Sequence, residues 1–416
     1  MRATKDSGVE WVGEIPENWR IKPLKSVCLI TNSGVWGGEP HELISGSLMP
    51  VATTAQISPD GRFLVQAMQV RSLTPLELKA GGTSKGDIVV VKSSGSADNI
   101  ISGKAGYVRE AGLFCFGNFL MRLRAKHSTD SRFLYYFVTS NLTRQRVERM
   151  VSTTTYPNLK VSEYTSAMVP LPSYEEQKAI ANFLDRETAK IDKLIVKQEQ
   201  LITTLGERRK ALISKQISQG SNLAEGLVDS GNPQIGKFPR QWKAKRLRHF
   251  ARLQSGADYK EIETSENGFP VYGSGGIFTH ATKYMYDGES VLFGRKGTID
   301  RPLYVNGPFW TVDTMYWTRF VNDINPKFVY YWATTLPFGL FTTATALPSM
   351  TASDIKNFFI GVPPRVEQDK IVQFLDAVTS SLDALGKRSL RVVEVLKERR
   401  QALISAAVTG KLEVGV

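Results

Sequence analysis

The chain has 416 residues, of which 42% are hydrophobic and 22% charged, and its formal net charge is +13. This length predicts two or more globular domains, and no apolar run approaches the roughly 18 residues of a membrane-spanning helix. Two cysteines and the absence of an apolar leader predict a cytoplasmic protein without a disulfide framework. The excess of Lys and Arg favours a polyanionic partner, although many basic proteins bind no nucleic acid.

The first body, residues 1–172, begins with the pattern Gly-x-x-Pro-x-x-Trp at residues 13–19. A strand is predicted at residues 86–91, because turn residues precede an Ile-Val-Val-Val run, and a polar loop follows it. The Thr-rich stretch at residues 153–156 is another polar loop. Small residues beside Lys suit a close approach to phosphates or base edges. The candidate DNA-facing residues of this body are Lys92, Ser93, Ser94, Lys104, Thr154, Tyr156 and Lys160.

A long helix is predicted over residues 173–220. Ser173 and Glu176 have the spacing of a capping box, and Gly206 is the weak position inside the helix. Roughly 40 helical residues span about 60 Å, which is too long for the interior of one small domain. Apolar residues recur at steps of three, four and seven, the spacing of a coiled-coil seam. These positions are Ile180, Leu184, Ile191, Leu194, Leu201, Leu205 and Leu212.

The second body, residues 221–363, repeats this order with a different sequence. Its opening motif lies at residues 236–242, and residues 237–252 hold seven basic residues and no acidic one. That segment fits either a solvated edge strand or a strip that faces phosphates. A strand predicted at residues 289–293 leads into a polar loop, and residues 272–276 form another. The candidate DNA-facing residues of this body are Tyr272, Ser274, Arg295, Lys296, Thr298, Thr343 and Thr345.

A second long helix, residues 364–416, completes an internal repeat. Glu207-Arg-Arg-x-Ala-Leu-Ile-Ser214 recurs as residues 398–405, and the apolar seam recurs at the same spacing. The two helices are therefore predicted to pair antiparallel and to hold the bodies at a fixed spacing, although a coiled coil often only dimerises. The helices match closely while the bodies diverge. This contrast indicates a common geometry joined to bodies that differ in what they contact.

Two further patterns leave alternatives open. The Glu-Arg-Arg helix ends fit either a surface that packs on a partner protein or a charged helix terminus. The aromatic segments near Tyr135 and Tyr330 fit a core better than a stacking platform for bases.

The sequence carries no recognisable catalytic chemistry. Its four histidines are isolated, and phosphate loops, nucleophile elbows and recurring carboxylate pairs are all lacking. A duplicated enzyme would be expected to duplicate its catalytic groups. We therefore predict no catalytic residue, no metal site and no cofactor in this chain. The histidines are His41, His127, His249 and His280.

The opening motifs, the helix starts at residues 172–177 and 364–368, and the Glu-Arg-Arg helix ends resemble the specificity (S) subunit of type I restriction-modification systems. The resemblance extends from about Val9 to Leu412. It implies a non-catalytic subunit in which each body is a target recognition domain for one half of a split double-stranded DNA site. The two helices would set the distance between the halves.

The resemblance also implies partners. Two methyltransferase (M) subunits would use S-adenosylmethionine to methylate adenine N6, and restriction (R) subunits, where present, would cut DNA with ATP and Mg²⁺. The expected fold is a pseudo-two-fold tandem repeat of mixed α/β (α+β) bodies separated by two long helices in an antiparallel coiled coil. Two alternatives are an enzyme with an unfamiliar site and a coiled-coil scaffold without sequence-specific DNA binding. Salt-dependent DNA binding would distinguish the scaffold from the specificity subunit.

Overall fold

The computed structural model describes residues 2–41, 46–58, 61–93, 95–96, 99–152, 158–220, 226–233, 235–341 and 349–415. The chain forms two compact units. The first unit comprises residues 1–197 and 392–416, and the second comprises residues 198–391. Each unit thus contains one body and parts of both long helices.

The first body is built on a four-stranded antiparallel sheet, in the order β10 (Ala105–Tyr107), β7 (Ile88–Val91), β12 (Leu120–Ala125) and β4 (Cys28–Thr31). The described helices of the first body are α1 (Leu24–Val27), α2 (Pro75–Gly81), α3 (Ser131–Thr139), α4 (Asn141–Met150) and α5 (Val161–Thr165). The strands are β1 (Thr4–Asp6), β2 (Glu14–Pro16), β3 (Arg20–Pro23), β4 (Cys28–Thr31), β5 (Ser47–Ala52), β6 (Gln69–Leu73), β7 (Ile88–Val91), β8 (Gly95–Ser96), β9 (Asn99–Ile100), β10 (Ala105–Tyr107), β11 (Cys115–Phe116), β12 (Leu120–Ala125), β13 (Val151–Ser152), β14 (Asn158–Leu159) and β15 (Met168–Leu171).

The long helix α6 (Tyr174–Gln219) follows. The second body repeats the central sheet, in the order β19 (Ala251–Ser255), β27 (Met315–Phe320), β24 (Ser290–Gly294) and β25 (Leu303–Val305). Its described helices are α7 (Pro326–Ala333) and α8 (Ala352–Asn357). The strands are β16 (Leu227–Asp229), β17 (Lys237–Pro239), β18 (Lys243–Arg246), β19 (Ala251–Ser255), β20 (Glu263–Thr264), β21 (Phe269–Gly273), β22 (Gly276–Ala281), β23 (Tyr286–Asp287), β24 (Ser290–Gly294), β25 (Leu303–Val305), β26 (Pro308–Thr311), β27 (Met315–Phe320) and β28 (Phe359–Val362). The second long helix, α9, spans Arg365–Val408.

The central strands β7 and β24 are buried along their whole length. In the first body, Ile88 and Val90 join the larger apolar core, whereas Val89 and Val91 join a second, smaller core. A strand that separates two cores needs apolar residues on both faces, which explains its continuous apolar run. The bodies diverge mainly in the outer sheet, which has the order β11-β5-β6 in the first body and β20-β22-β21-β26-β23 in the second.

The aromatic segments form helices that pack into the cores, as the core interpretation predicted. Phe133 and Phe137 of α3 are buried in the first body, and Phe328 of α7 is buried in the second. Each helix begins at a side-chain cap: Asp130 accepts from the amides of residues 132 and 133, and Asn325 does so for residues 327 and 328.

The repeated opening motif anchors each body to the start of a long helix. Trp19 Nε1 donates to Glu176 Oε1 at 3.0 Å, and Trp242 Nε1 donates to Glu367 Oε2 at 3.1 Å. Ser173 Oγ accepts from the Glu176 amide at 3.3 Å, as expected for an N-cap, while the Glu176 carboxylate also accepts from Arg2. The Trp of the motif is therefore retained because it bonds a carboxylate in the first turn of the helix.

Replacing Trp19 by Phe is expected to lower the free energy of unfolding of the first unit by about 1–3 kcal/mol, because a nearly buried carboxylate loses a donor. Glu176 and Trp19 are 6% and 1% exposed. Chemical denaturation followed by circular dichroism measures the change. Trp11→Phe is the matched control, since Trp11 is only partly buried and packs on Phe137. Equal losses for both variants would contradict a special role for the Trp19 bond.

The two long helices pair antiparallel, which confirms the predicted arrangement. In the first unit Arg400 donates to Asp192 at 2.9 Å, and in the second unit Arg209 pairs with Asp383 at 3.2 Å. The two ion pairs use equivalent residues of the repeat, with the acid and the base exchanged between the helices.

The predicted seam is only partly a helix–helix seam. Ile180 and Leu184 belong to the core of the first body, and Ile371 and Leu375 belong to that of the second. Of the middle positions of the pattern, Leu194 and Leu385 are exposed, at 49% and 48%, whereas Ile191 and Leu382 are buried, at 7% and 9%. Helical periodicity identifies an apolar stripe but does not say which neighbour covers each position of it. None of the described helices combines the length and apolar character that a membrane span needs.

Candidate nucleic-acid interface

In the first body, the central strand ends beside two segments that are distant in sequence. The amides of Lys92 and Ser93 donate to Phe119 O at 2.9 and 3.2 Å. On the other side, the Leu159 amide donates to Lys92 O at 2.8 Å, and Ser93 pairs with Asn158. Strand pairing thus places the polar loop after β7 directly against the segment that follows the Thr-rich stretch.

The second body has the same arrangement. The Arg295 amide donates to Thr314 O at 2.8 Å, and the Met350 amide donates to Arg295 O at 3.0 Å. Lys296 pairs with Ser349 as Ser93 pairs with Asn158. Lys92 and Ser93 therefore correspond to Arg295 and Lys296. We call this region the strand-end surface: residues 92–93, 119 and 158–160 in the first body, and residues 295–298, 314 and 349–351 in the second.

Arg295 is the best-placed cation on this surface. Its side chain is exposed, and its guanidinium lies over the ring of Tyr316, 5.9 Å from the ring centroid. Stacking on an aromatic ring orients the planar guanidinium without neutralising its charge. Within the described ranges, neither Arg295 nor Lys296 forms an ion pair with a carboxylate. Thr298 is also exposed, so all three predicted residues of this loop are accessible.

The predicted lysines of the first body are more constrained. Lys92 is half-buried, and its ammonium group donates to Asn32 O at 3.0 Å. Lys104 lies beside the end of β7, because the Val91 amide donates to Lys104 O at 2.7 Å, but its ammonium group is bonded to Ile57 O. Lys160 is exposed and pairs with Glu163 at 3.2 Å. The structure brings these three together around one strand end.

Tyr272 and Ser274 belong to the neighbouring hairpin between β21 and β22. Tyr272 O accepts from the Val312 amide at 3.2 Å, two residues before Thr314, so the hairpin borders the strand-end surface. The Tyr272 ring packs against Phe309, with 6.2 Å between ring centroids, and burial raises the pKa of its hydroxyl. Ser274 is half-buried in the turn.

Five predicted residues lie outside the described residues: Ser94, Thr154, Tyr156, Thr343 and Thr345. Of the described segments that flank them, β13 pairs with β14, while Ser349 pairs with Lys296.

Sequence reasoning missed two features of the first body. Phe119 is 49% exposed directly beside Lys92 and Ser93. Helix α4 carries exposed Arg146 and Arg149 and ends two residues before the Thr-rich stretch. Three arginines within the ten residues of α4 were a readable charge signal, whereas the exposure of Phe119 depends on a turn that the sequence pattern does not specify.

The described residues hold no metal-binding cluster, and their two thiols are poor nucleophiles. They contain no group of three His, Cys, Asp or Glu side chains arranged to hold a metal ion. Both cysteines are buried, and burial raises the pKa of Cys28 to about 12 and that of Cys115 to about 11. Thiols with such pKa values remain protonated at neutral pH, and the protonated form is a poor nucleophile.

Solved structures with the same fold are known at low sequence identity. A chain from the structure "Structural basis underlying complex assembly and conformational transition of the type I R-M system" aligns with a TM-score of 0.67 and 18% identity, covering 96% of this chain and 99% of that one. The HsdS subunit from Thermoanaerobacter tengcongensis aligns with a TM-score of 0.50 and 16% identity, over 96% and 98%. At these identities the likeness shows the fold.

Curated relatives match along nearly the whole chain. The type I restriction enzyme StySPI specificity subunit of Salmonella potsdam is 22% identical over 440 residues, which covers 96% of this chain and 90% of that protein. The EcoKI specificity subunit of Escherichia coli (strain K12) is 21% identical over 430 residues, with the same coverage. The family model described as "Type I restriction modification DNA specificity domain" matches twice, at residues 16–204 and 239–395. Because these two matches cover most of the chain in tandem, the protein belongs to the type I restriction-modification DNA specificity family.

Proposed function

We propose that this specificity subunit reads a split double-stranded DNA target, with one half-site for each body. Residues 1–172 and 221–363 act as the target recognition domains, and residues 173–220 and 364–416 act as spacers. The observation that carries this proposal is the strand-end surface, which has the same backbone pairing in two bodies of divergent sequence. Equivalent surfaces with different side chains suit two half-sites of different sequence.

Within each surface the side chains have separate roles. Arg295 is suited to a bidentate contact with a guanine edge, because it is exposed, oriented by Tyr316 and not paired with any carboxylate among the described residues. Lys160 and Lys296 are exposed cations suited to phosphates, which position the protein without reading sequence. Ser93 and Thr298 supply hydroxyls at the same strand ends.

The chain is the non-catalytic member of its complex and works in the cytoplasm, where the DNA target and its partners are found. Two methyltransferase subunits bind S-adenosylmethionine and methylate adenine N6, and a restriction subunit, where present, supplies ATP- and Mg²⁺-dependent cleavage. Support comes from the tandem family match, which gives the chain two equivalent halves, and from the relative whose description concerns assembly of a type I system. Adenine in a duplex must be flipped out to be methylated, a task that falls to the methyltransferase.

Co-expression tests the proposal directly. The chain and the methyltransferase encoded nearest to it are expressed in a host without adenine methylation, and the host DNA is sequenced for N6-methyladenine. We expect a split, asymmetric methylated motif that disappears when this chain is omitted. If both proteins are soluble and associated but no motif arises, and the complex shows no sequence-specific, salt-dependent DNA binding, the scaffold function would replace this proposal.

A further inference from the structure

Each unit carries a cationic edge that the proposed recognition of DNA does not use. In the first unit it consists of Arg20, Lys22 and Lys25 on β3 and α1, and in the second of Lys243, Lys245 and Arg248 on and after β18. All six side chains are exposed. We call these two sets the basic edges.

The two basic edges occupy equivalent places. β3 pairs antiparallel with β15 from Arg20↔Leu171 to Pro23↔Met168, and β18 pairs with β28 from Lys243↔Val362 to Arg246↔Phe359. Each edge therefore begins directly after the anchoring Trp and lies beside the strand that leads into a long helix. The matching strands β15 and β28 carry no charged residue, so the paired strand does not neutralise the edge.

The charges of the basic edges are not neutralised within the part of the chain that the structure describes. Lys25 donates to Ser166 Oγ at 3.4 Å, and Arg248 donates to Asn357 Oδ1 at 3.1 Å, but none of the six residues forms an ion pair. Lys245 lies over the Phe250 ring at 5.5 Å. Neutral contacts of this kind orient a cation and leave its charge to attract an anionic partner.

In the second unit the edge lines a cleft of about 990 Å³. Its walls include Lys243, Lys245 and Arg248, and its acidic wall residue Asp323 pairs with Arg365 at 2.8 Å. Gln241 also lines the cleft, and its side-chain oxygen is buried and forms no hydrogen bond within the described residues. A concave, net positive surface fits an acidic segment of a partner protein.

The position of the basic edges separates them from the strand-end surface. Strand β12 begins at Leu120, next to the strand-end surface, and ends five residues later at Ala125. Ala125 pairs with Cys28, the residue that follows α1 and the basic edge of the first unit. In the second unit the equivalent strand, β27, begins at Met315 next to the strand-end surface and ends at Phe320, which pairs with Ala251. Five residues of strand span about 17 Å. The edges thus lie at the opposite end of each central sheet from the proposed DNA contacts.

We propose that each basic edge docks an acidic surface of one methyltransferase subunit. This inference rests on the proposed function, because it takes its partner from there. Two equivalent edges receive two copies of the same partner, whereas the strand-end surfaces, which differ in sequence, receive different half-sites. Exposed charges of this kind act mainly on the association rate and on its dependence on salt.

The test measures the association rate of the purified methyltransferase with the immobilised full-length chain at 50–500 mM NaCl. Lys243→Glu/Lys245→Glu is expected to slow association at one of two sites about tenfold at low salt and to have little effect at high salt, and Arg20→Glu/Lys22→Glu is expected to do the same at the other site. Combining all four changes should slow both. Lys243→Gln/Lys245→Gln, which removes charge without reversing it, should give a smaller decrease, of about threefold.

Lys260→Glu/Lys283→Glu is the matched control, because both lysines are exposed in the same body and the change in net charge is the same. Unchanged association of the edge variants, or equal slowing by the control, would overturn the inference. Unchanged association with weakened, less salt-dependent DNA binding would also overturn it and assign the edges to the DNA backbone. Edge-dependent assembly without any methylated motif would leave the inference standing and defeat the proposed function instead.

Discussion

Removing one heptad from both long helices is expected to abolish methylation of the original target while leaving both bodies folded. The deletion takes residues 196–202 from α6 and the equivalent residues 387–393 from α9. Both segments lie between the Asp192–Arg400 and Arg209–Asp383 ion pairs, so equal lengths are lost from the two antiparallel helices and both ion pairs can re-form. The boundaries between the compact units also fall within these segments.

The size of the effect follows from two helical geometries. Seven residues shorten a helix by about 10.5 Å, which equals roughly three base pairs at about 3.4 Å each. Seven residues turn the helix by nearly two whole turns, whereas three base pairs turn the duplex by roughly a third of a turn. If the helices set the distance between half-sites, the two bodies no longer meet both halves from the correct side.

Methylome sequencing of the co-expression host measures the outcome. The control replaces the same 14 residues, seven in each helix, with an unrelated heptad of equal helical propensity, which should keep the original motif. Circular dichroism should show that the shortened chain remains folded. Full methylation at the original spacing by the shortened chain would mean that the helices do not set the distance.

The long helices were predictable from the sequence because the periodic pattern that identifies a helix is local, and here it occurs twice. The two copies of one periodic pattern showed which residues of the two helices are equivalent. Once the helices pair antiparallel, this equivalence accounts for the two related ion pairs, Asp192–Arg400 and Asp383–Arg209. The coverage of the apolar stripe was not predictable. The ends of the stripe pack on the bodies, and those contacts depend on tertiary structure that periodicity does not contain.

The candidate site was predictable only in part, for a similar reason. Glycine and small residues beside a basic residue after an apolar run identified the loops at Lys92 and Arg295, because the strand and its turn are local features. That the Asn158 and Ser349 segments pair with these loops is a long-range strand contact. The sequence also gave no sign that Lys92 bonds to Asn32 O or that Arg295 stacks on Tyr316. Those contacts decide which side chain remains available to a ligand.

Replacing Arg295 by Ala is expected to weaken binding of the complex to one half-site by about 5- to 150-fold, because a bidentate contact to a base contributes roughly 1–3 kcal/mol of discrimination. The other half-site should be read as before. Lys92→Ala, at the equivalent place in the first body, should affect the opposite half-site and by less, since Lys92 is half-buried and its ammonium group already donates to Asn32 O.

Competition binding with duplexes altered in one half or the other separates these effects. Arg252→Ala is the matched control: Arg252 is exposed in the same body, and its neighbour Ala251 pairs with Phe320, at the end of the sheet away from Arg295. A uniform loss on all duplexes, with a smaller salt dependence, would make Arg295 a phosphate contact instead. Unchanged affinity and an unchanged methylated motif would remove Arg295 from the interface and, because Lys92 holds the equivalent position, would weaken the assignment of both strand-end surfaces.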